Sequence, residues 1–198
     1  MIAMAGKNCV CIATDTRLST DLMTVDGNFQ RVFKVNDLTL MGISGLGTDV
    51  QTFNSLMKFK MNMYKLKEGK EMKASTYSKL VATTMYEKRF GPYFVSPIIA
   101  GLDKISDTEY TPVICTYDSI GYRQHSNIFE CAGTGADFLT GVAETFYKPN
   151  LEAEQLAEVV SNCLLSALDR DSLSGWGAYV YILTPTELTV RSLKTRMD

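Results

Sequence analysis

Histidine is almost missing from this sequence. His125 stands alone among 198 residues, beside one tryptophan and five prolines. A Ser-His-Asp relay therefore has to use His125 or none, and a histidine-rich metal centre is excluded. No apolar run approaches the roughly 20 residues that span a bilayer. The opening Met1-Ile2-Ala3-Met4-Ala5-Gly6-Lys7 lacks a basic start followed by a long apolar stretch, so no signal peptide is read there. Charge of one sign is lacking too. Twenty Lys and Arg stand against 22 Asp and Glu, leaving a net charge of -2 and no large positive field for nucleic acid or an anionic membrane. There is no low-complexity tract, no repeat at solenoid spacing and no Pro- or Ser-rich linker. Residues 1–198 therefore read as one domain. Walker A, HExxH, EF-hand and Gly-x-Ser-x-Gly patterns are all absent, which removes the common phosphate-loop, zinc-protease, calcium and α/β-hydrolase readings.

What is present is an ordinary globular composition, 45% hydrophobic and 21% charged. The cysteines Cys9, Cys11, Cys115, Cys131 and Cys163 are odd in number, and four of them sit in apolar surroundings. That pattern fits reduced core thiols of a cytosolic or nuclear protein. Cys9-Val10-Cys11 has no second Cys or His pair at metal spacing, so it reads as strand rather than zinc ligand.

The hydrophobic period changes four times along the chain. Cys9–Ala13, residues 22–25, Arg31–Val35 and Leu38–Ser44 read as short strands, with turns at Asp26-Gly27-Asn28 and Asn36-Asp37. Thr48-x-x-Gln51 has capping-box spacing and predicts the start of a helix. Val50, Phe53, Met57, Met61 and Tyr64 form its buried face, with an end near Lys67-Glu68-Gly69. Ser75 is the expected cap of a second helix, which carries Tyr77, Leu80, Val81 and Met85 and stops before Gly91-Pro92. Phe94–Leu102, Thr111–Tyr117 and Tyr122–Ala132 return to strand, the last broken near Ser126-Asn127. Gly133-Thr134-Gly135 opens a third helix with Phe138, Leu139, Val142 and Phe146 in register. Asn150 is the expected N-cap of a fourth, whose stripe is Leu156, Val159, Val160, Cys163, Leu164 and Ala167. Gly177–Leu183 and Glu187–Leu193 close the chain as strands. Strands, two helices, strands, two helices, strands is an α+β order with antiparallel sheets. Two packed sheets, each covered by a helix pair, bury all four helical stripes, and a single-sheet version stays open on pattern alone.

Few residues offer chemistry. His125 lies in a polar stretch, and a solvated side chain is its ordinary reading. Gly42-Ile43-Ser44-Gly45-Leu46-Gly47 and Gly133-Thr134-Gly135 read as close strand-to-helix turns, although exposed N–H groups at the second can take an anion. Asp15 and Asp171 each end an apolar segment beside an arginine, in Asp15-Thr16-Arg17 and Asp169-Arg170-Asp171. Turn caps or surface ion pairs are one reading, and charges ordering an active centre the other.

These same segments resemble proteasome β-type subunits. Ala13-Thr14-Asp15-Thr16-Arg17 looks like their A-x-D-x-R element, Gly45-Leu46-Gly47-Thr48-Asp49 like their glycine turn, and Asp169-Arg170-Asp171-Ser172-Leu173-Ser174-Gly175 like their R-D-x-x-S-G element. Tyr86-Glu87-Lys88-Arg89-Phe90-Gly91-Pro92-Tyr93, Ile99-Ala100-Gly101-Leu102-Asp103 and Thr195-Arg196-Met197-Asp198 resemble a non-catalytic branch of that family. The resemblance implies a four-layer αββα sandwich of the N-terminal nucleophile hydrolase superfamily. It matches Asp15, Arg31, Gly45, Asp171 and Ser174 to the family's site positions, with Arg31 where a Lys is usual. An arginine stays protonated, so it can hold an electrostatic role but cannot act as a base. The family's nucleophilic Thr falls two positions before Met1, and a site without it has no covalent route. Catalytic residues, cofactor and metal are therefore expected to be none.

The implied role is that of a structural subunit of the 20S core particle, an obligate hetero-oligomer for ATP- and ubiquitin-dependent protein degradation in cytoplasm and nucleus. Its implied partners are the beta type 2 and beta type 4 subunits as ring neighbours, an α ring and the opposite β ring, with no nucleic acid and no membrane. Cys115-Thr116-Tyr117-Asp118 resembles the stretch that borders the trypsin-like pocket of beta type 2, where the Asp118 carboxylate can favour a basic side chain. Asp118 also suits the turn Asp118-Ser119-Ile120-Gly121. Two other readings stay open: an active N-terminal threonine hydrolase, if a Thr-bearing segment precedes Met1, and a stand-alone small-molecule binding protein.

Overall fold

The computed structural model describes residues 1–197; Asp198, the end of the last motif quoted above, lies outside them. Two five-stranded antiparallel sheets face each other. The first is built from β1 (Ile2–Gly6), β2 (Cys9–Asp15), β10 (Phe129–Cys131), β11 (Ala178–Leu183) and β12 (Leu188–Leu193), in the order β10-β1-β2-β11-β12. The second joins β5 (Val32–Asn36), β6 (Thr39–Gly45), β7 (Val95–Lys104), β8 (Tyr110–Tyr117) and β9 (Arg123–Ser126) in chain order. A small hairpin, β3 (Leu18–Thr20) with β4 (Met23–Asp26), stands apart from both.

Side-chain alternation along the strands builds three apolar layers. In β1 and β2, Ile2, Met4, Cys9, Cys11 and Ala13 point to one side, while Ala3, Ala5, Val10 and Ile12 point to the other. The second set meets Leu40, Ile98, Ala100, Leu102 and Ile114 of the opposing sheet, forming the central core. The first set packs on α3 (Ala136–Phe146) and α4 (Ala153–Leu168). On the far side, Met41, Ile43, Ile99, Val113 and Cys115 pack on α1 (Gly47–Glu68) and α2 (Ala74–Tyr86). The result is the αββα sandwich, and the single-sheet alternative is set aside.

Helix stripes, more than caps, hold the outer layers. At α1 the N-cap is Leu46, which makes no side-chain bond, so the expected Thr48 box is not formed. Asp49 instead accepts a hydrogen bond from the Phe94 N–H at 2.9 Å, tying the helix start to the strand beside it. A cap contributes about 1 kcal/mol. Burying Val50, Phe53, Met57 and Met61 contributes roughly 1.5–3 kcal/mol each and dominates. Gly69 ends α1 in the left-handed conformation, as its position predicts.

Other sequence expectations need correction. Lys73, not Ser75, caps α2, and the Ser75 N–H goes to Asp103 at 3.3 Å. Glu152, not Asn150, caps α4, in a capping box with Gln155. Leu139 and Ala143 are the buried residues of α3, whereas Phe138 and Phe146 face outward. The segment Tyr122–Ala132 is not one broken strand. Its halves, β9 and β10, belong to different sheets, so the break at Ser126-Asn127 carries the chain across the sandwich. β1 leaves no periodic mark in the sequence, because Ile2–Met4 are buried on both faces and show no alternation.

Candidate functional site

One end of the sandwich opens into a cavity of about 660 Å³, lined among others by Met1, Asp15, Arg17, Arg31, Gly45, Gly133, Thr134, Asp171 and Ser174. Every position that the sequence singled out as a former active centre lies on its wall. Each arrives by a different route. Asp15 is the last residue of β2, and Arg31 immediately precedes β5. Gly45 ends β6 at the turn into α1, and Asp171 and Ser174 lie between α4 and β11.

Two polar clusters divide this wall. In the first, the Arg31 guanidinium approaches Asp15 Oδ1 at 3.5 Å and donates to the Asp15 carbonyl at 3.0 Å and to the Arg17 carbonyl. The other Asp15 oxygen accepts the Gly175 N–H at 3.1 Å. The side chains of Arg31 and Asp15 are only 13% and 10% exposed, so the pair is largely withdrawn from water. Arg17 is consumed differently, donating to Thr24 Oγ1 at 2.9 Å, to the Leu173 carbonyl at 2.7 Å and to the Leu22 carbonyl at 2.9 Å. It pins the β3–β4 hairpin to the loop after α4.

In the second cluster Asp171 Oδ2 accepts Ser174 Oγ at 2.6 Å and Thr134 Oγ1 at 2.7 Å, and Oδ1 accepts the Leu173 N–H at 3.1 Å. Partial burial pushes the Asp171 carboxyl up. The bonds from Ser174, Thr134 and the Leu173 N–H outweigh that and hold it below its usual range. Thr134 is the site residue that the sequence did not single out. Its only signal was the glycine on either side of it, which reads as helix-start geometry and says nothing of Asp171.

Gly45 is required by backbone geometry. Its φ of +123° lies where side chains are strained, and a Cβ there would run into the Phe94 carbonyl oxygen. The Met1 α-amine is fully buried in the same cavity and donates to the Ala132 carbonyl at 2.9 Å. Burial lowers its affinity for a proton, an effect that the Asp15 carboxylate opposes.

Three hydroxyls of this wall are occupied. Ser44 donates to the Ser96 carbonyl at 3.1 Å, while Thr134 and Ser174 serve Asp171. A nucleophilic hydroxyl needs a base within hydrogen-bond reach, and Asp171, held ionised by its donors, is a poor proton acceptor. His125 is exposed on β9 and does not line the cavity.

Asp118 and Cys115 lie elsewhere, at and near the end of β8. Asp118 is exposed, and its Oδ1 accepts the N–H groups of Ile120 at 3.0 Å and Tyr122 at 2.8 Å, so it shapes its turn. Cys115 is fully buried, with Arg123 Nη1 3.4 Å from its sulfur. Of the two, only Asp118 reaches the surface, with Cys115 buried in the strand beneath.

A family model described as Proteasome subunit matches residues 1–183. The chain is 48% identical over 198 residues to a protein named Proteasome subunit beta type-3 from Picea mariana, covering all of this chain and 95% of that one. Proteins of the same name from Saccharomyces cerevisiae and Drosophila melanogaster are 45% and 42% identical over 198 residues, at the same coverage.

Proposed function

The chain belongs to the proteasome subunit family, among its beta type-3 members, and from that premise we propose a non-catalytic role in the inner ring of the 20S core particle. As a single domain over residues 1–198, it contributes wall, spacing and register to the chamber in which ubiquitin-dependent degradation takes place, in cytoplasm and nucleus. Its ring neighbours are the beta type 2 and beta type 4 subunits, and it meets an α ring on one side and the opposite β ring on the other.

One observation carries the non-catalytic reading: Asp15, Arg31 and Asp171 in the cavity are each engaged by other groups of the chain. Arg31 binds Asp15 and two carbonyls, and Asp171 is bound by Thr134 and Ser174. Arg31 cannot accept a proton as a lysine in that place can. A retained charge network of this kind supports the shape of the old centre without performing chemistry. At its Asp118 corner the subunit helps to form the trypsin-like site of beta type 2, offering a carboxylate to a basic substrate side chain.

Native mass spectrometry of the particle purified with this chain tagged tests the role. The expected result is a many-subunit complex holding seven distinct β-type chains, with no covalent adduct on this chain after treatment with an N-terminal-threonine-directed inhibitor. A free monomer, or an inhibitor adduct on this chain, contradicts it.

A further inference from the structure

The cavity lies at one end of the sandwich, and the strands carry the chain to a second surface at the other. Gly45 pairs with Val95 at the cavity end of β7, and Lys104 pairs with Tyr110 at its far end. Ten residues of strand set the two about 30 Å apart. The turn that joins β7 to β8 at the far end, residues 105–109, is exposed throughout. Two bonds close it, from the Ile105 N–H at 3.0 Å and the Ser106 N–H at 3.1 Å to the Glu109 carbonyl. Asn8, from the turn between β1 and β2, pins its end by donating to the Thr108 carbonyl at 3.3 Å and accepting the Tyr110 N–H at 2.9 Å.

Ser106 on this turn is followed by Asp107 and then, at the third residue on, by Glu109. No other serine or threonine in the sequence has a carboxylate both one and three residues after it. The Ser106 Oγ forms no hydrogen bond among the described residues. Thr184, at the same end of the molecule, differs: its hydroxyl is engaged by the carbonyl and the N–H of Glu187, both at 3.1 Å. Thr20 has a carboxylate after it in Asp21 but none three residues on, and it stands between two residues of the cavity wall, Ser19 and Asp21. Glu109 forms no ion pair among the described residues, and Asp107 pairs with Lys104 at 2.6 Å with both side chains exposed. An exposed pair of this kind is weak, so both carboxylates are open to a basic groove.

We propose that Ser106 is a phosphorylation site for an acid-directed serine/threonine kinase, on the end of the subunit turned away from the chamber. The proposal rests on the subunit role given above, which turns the cavity end inward. The charge pattern sets the enzyme class: kinases select substrates by complementary charge, and Asp107 with Glu109 suits a groove lined by Lys and Arg. ATP is the phosphoryl donor. The Ser106 oxygen bonds to the γ-phosphorus as the bond from that phosphorus to the β–γ bridging oxygen breaks. ADP leaves with the electron pair, and the hydroxyl proton passes to the kinase's catalytic aspartate. Opening the turn to fit a kinase groove breaks its two bonds to the Glu109 carbonyl and uncovers no buried side chain, so residues 105–109 open without unfolding the sheets. The product carries roughly two more negative charges beside Asp107 and Glu109. Lys104 is the cation at hand to answer them.

The test treats the assembled particle, and separately the free full chain, with casein kinase II as the acid-directed probe, together with magnesium and ATP. Peptide mass spectrometry is expected to place a phosphate on Ser106 in both. Asp107→Asn and Glu109→Gln are each expected to slow labelling about tenfold. Ser106→Ala is expected to abolish it, with circular dichroism unchanged in all three variants because these side chains face water. Particles purified from the protein's own cells with phosphatase inhibitors present are expected to yield the same phosphopeptide, and to lose it on phosphatase treatment. Labelling at other residues with Ser106 untouched overturns the proposal, as does labelling indifferent to both carboxylate variants. Labelling of the free chain but not of the particle overturns it too, and so do particles from cells that lack the phosphopeptide. Failure of the subunit role has a separate signature: the wild-type chain itself is then missing from the particle, while the free chain still reports on Ser106.

Discussion

Arg31 reaches back across sixteen residues to Asp15 and holds it from two directions, its Nη1 lying 3.0 Å from the backbone oxygen and 3.5 Å from Oδ1 of the carboxylate. The guanidinium thereby locks the end of β2 to the start of β5, joining one sheet to the other. A lysine offers one compact point charge and cannot span these acceptors with a planar fork. Arg31 thus serves as a clamp between the two sheets.

Removing the carboxylate strands that clamp. Asp15→Ala leaves the Arg31 charge largely buried and also frees the Gly175 N–H, so a loss of roughly 3–5 kcal/mol is expected. For a chain of this length that corresponds to a fall in Tm of roughly 10 °C, read by thermal unfolding of the full chain. A Tm within a degree or two of the wild type is inconsistent with a structural clamp.

Asp171 makes stability depend on pH. Its carboxyl is held below the ordinary value of 3.8, so the unfolded chain binds the proton more readily than the folded one. The resulting stabilisation is complete above that ordinary value and is lost as pH falls through the lower folded-state value. Ser174→Ala or Thr134→Val removes one donor and moves the Asp171 titration upward, which carboxyl-carbon NMR follows. Asp171→Asn abolishes this part of the acid sensitivity, and an unchanged titration in both donor variants contradicts the network.

At the surface corner, Asp118→Asn keeps an oxygen able to accept the Ile120 and Tyr122 N–H groups while removing the charge. Folding and assembly are expected to be normal. Cleavage after basic residues by the assembled particle is expected to weaken several-fold in kcat/KM, with the other peptidase activities unaltered. Unchanged kinetics restrict Asp118 to its turn.

The thiols are inert by position. Burial pushes Cys9, Cys131 and Cys163 up to about 11, and Cys11 and Cys115 are raised by the same cause. At pH 8 about one in a thousand of the first three is thiolate. Ellman's reagent is expected to leave the native full chain nearly unlabelled and to count five thiols once it is unfolded. Rapid labelling of the native chain contradicts this burial.

Element type was legible wherever one periodicity ran long enough. The stripes Val50–Met61 and Leu156–Ala167 repeat at the helical interval and are buried as that interval requires. The β5–β6 hairpin was announced by its turn residues. β1 was not, because a strand buried on both faces has no polar alternate to reveal its period. Phe138 and Phe146 were misplaced because hydrophobicity alone does not say which side of a short helix meets the sheet.

The cavity shows the same division more sharply. Composition confined any histidine relay to His125, the missing Walker A pattern excluded the common phosphate loop, and local motifs marked Asp15, Gly45 and Asp171 as positions worth watching. These follow from residue identity and short spacing alone. That Asp15 meets Arg31 and Gly175, and that Thr134 completes the Asp171 cluster from 37 residues away, was decided by how the two sheets stack. Contacts of that range depend on strand order and register, which are cooperative properties of the packed core. No run of neighbouring residues contains them.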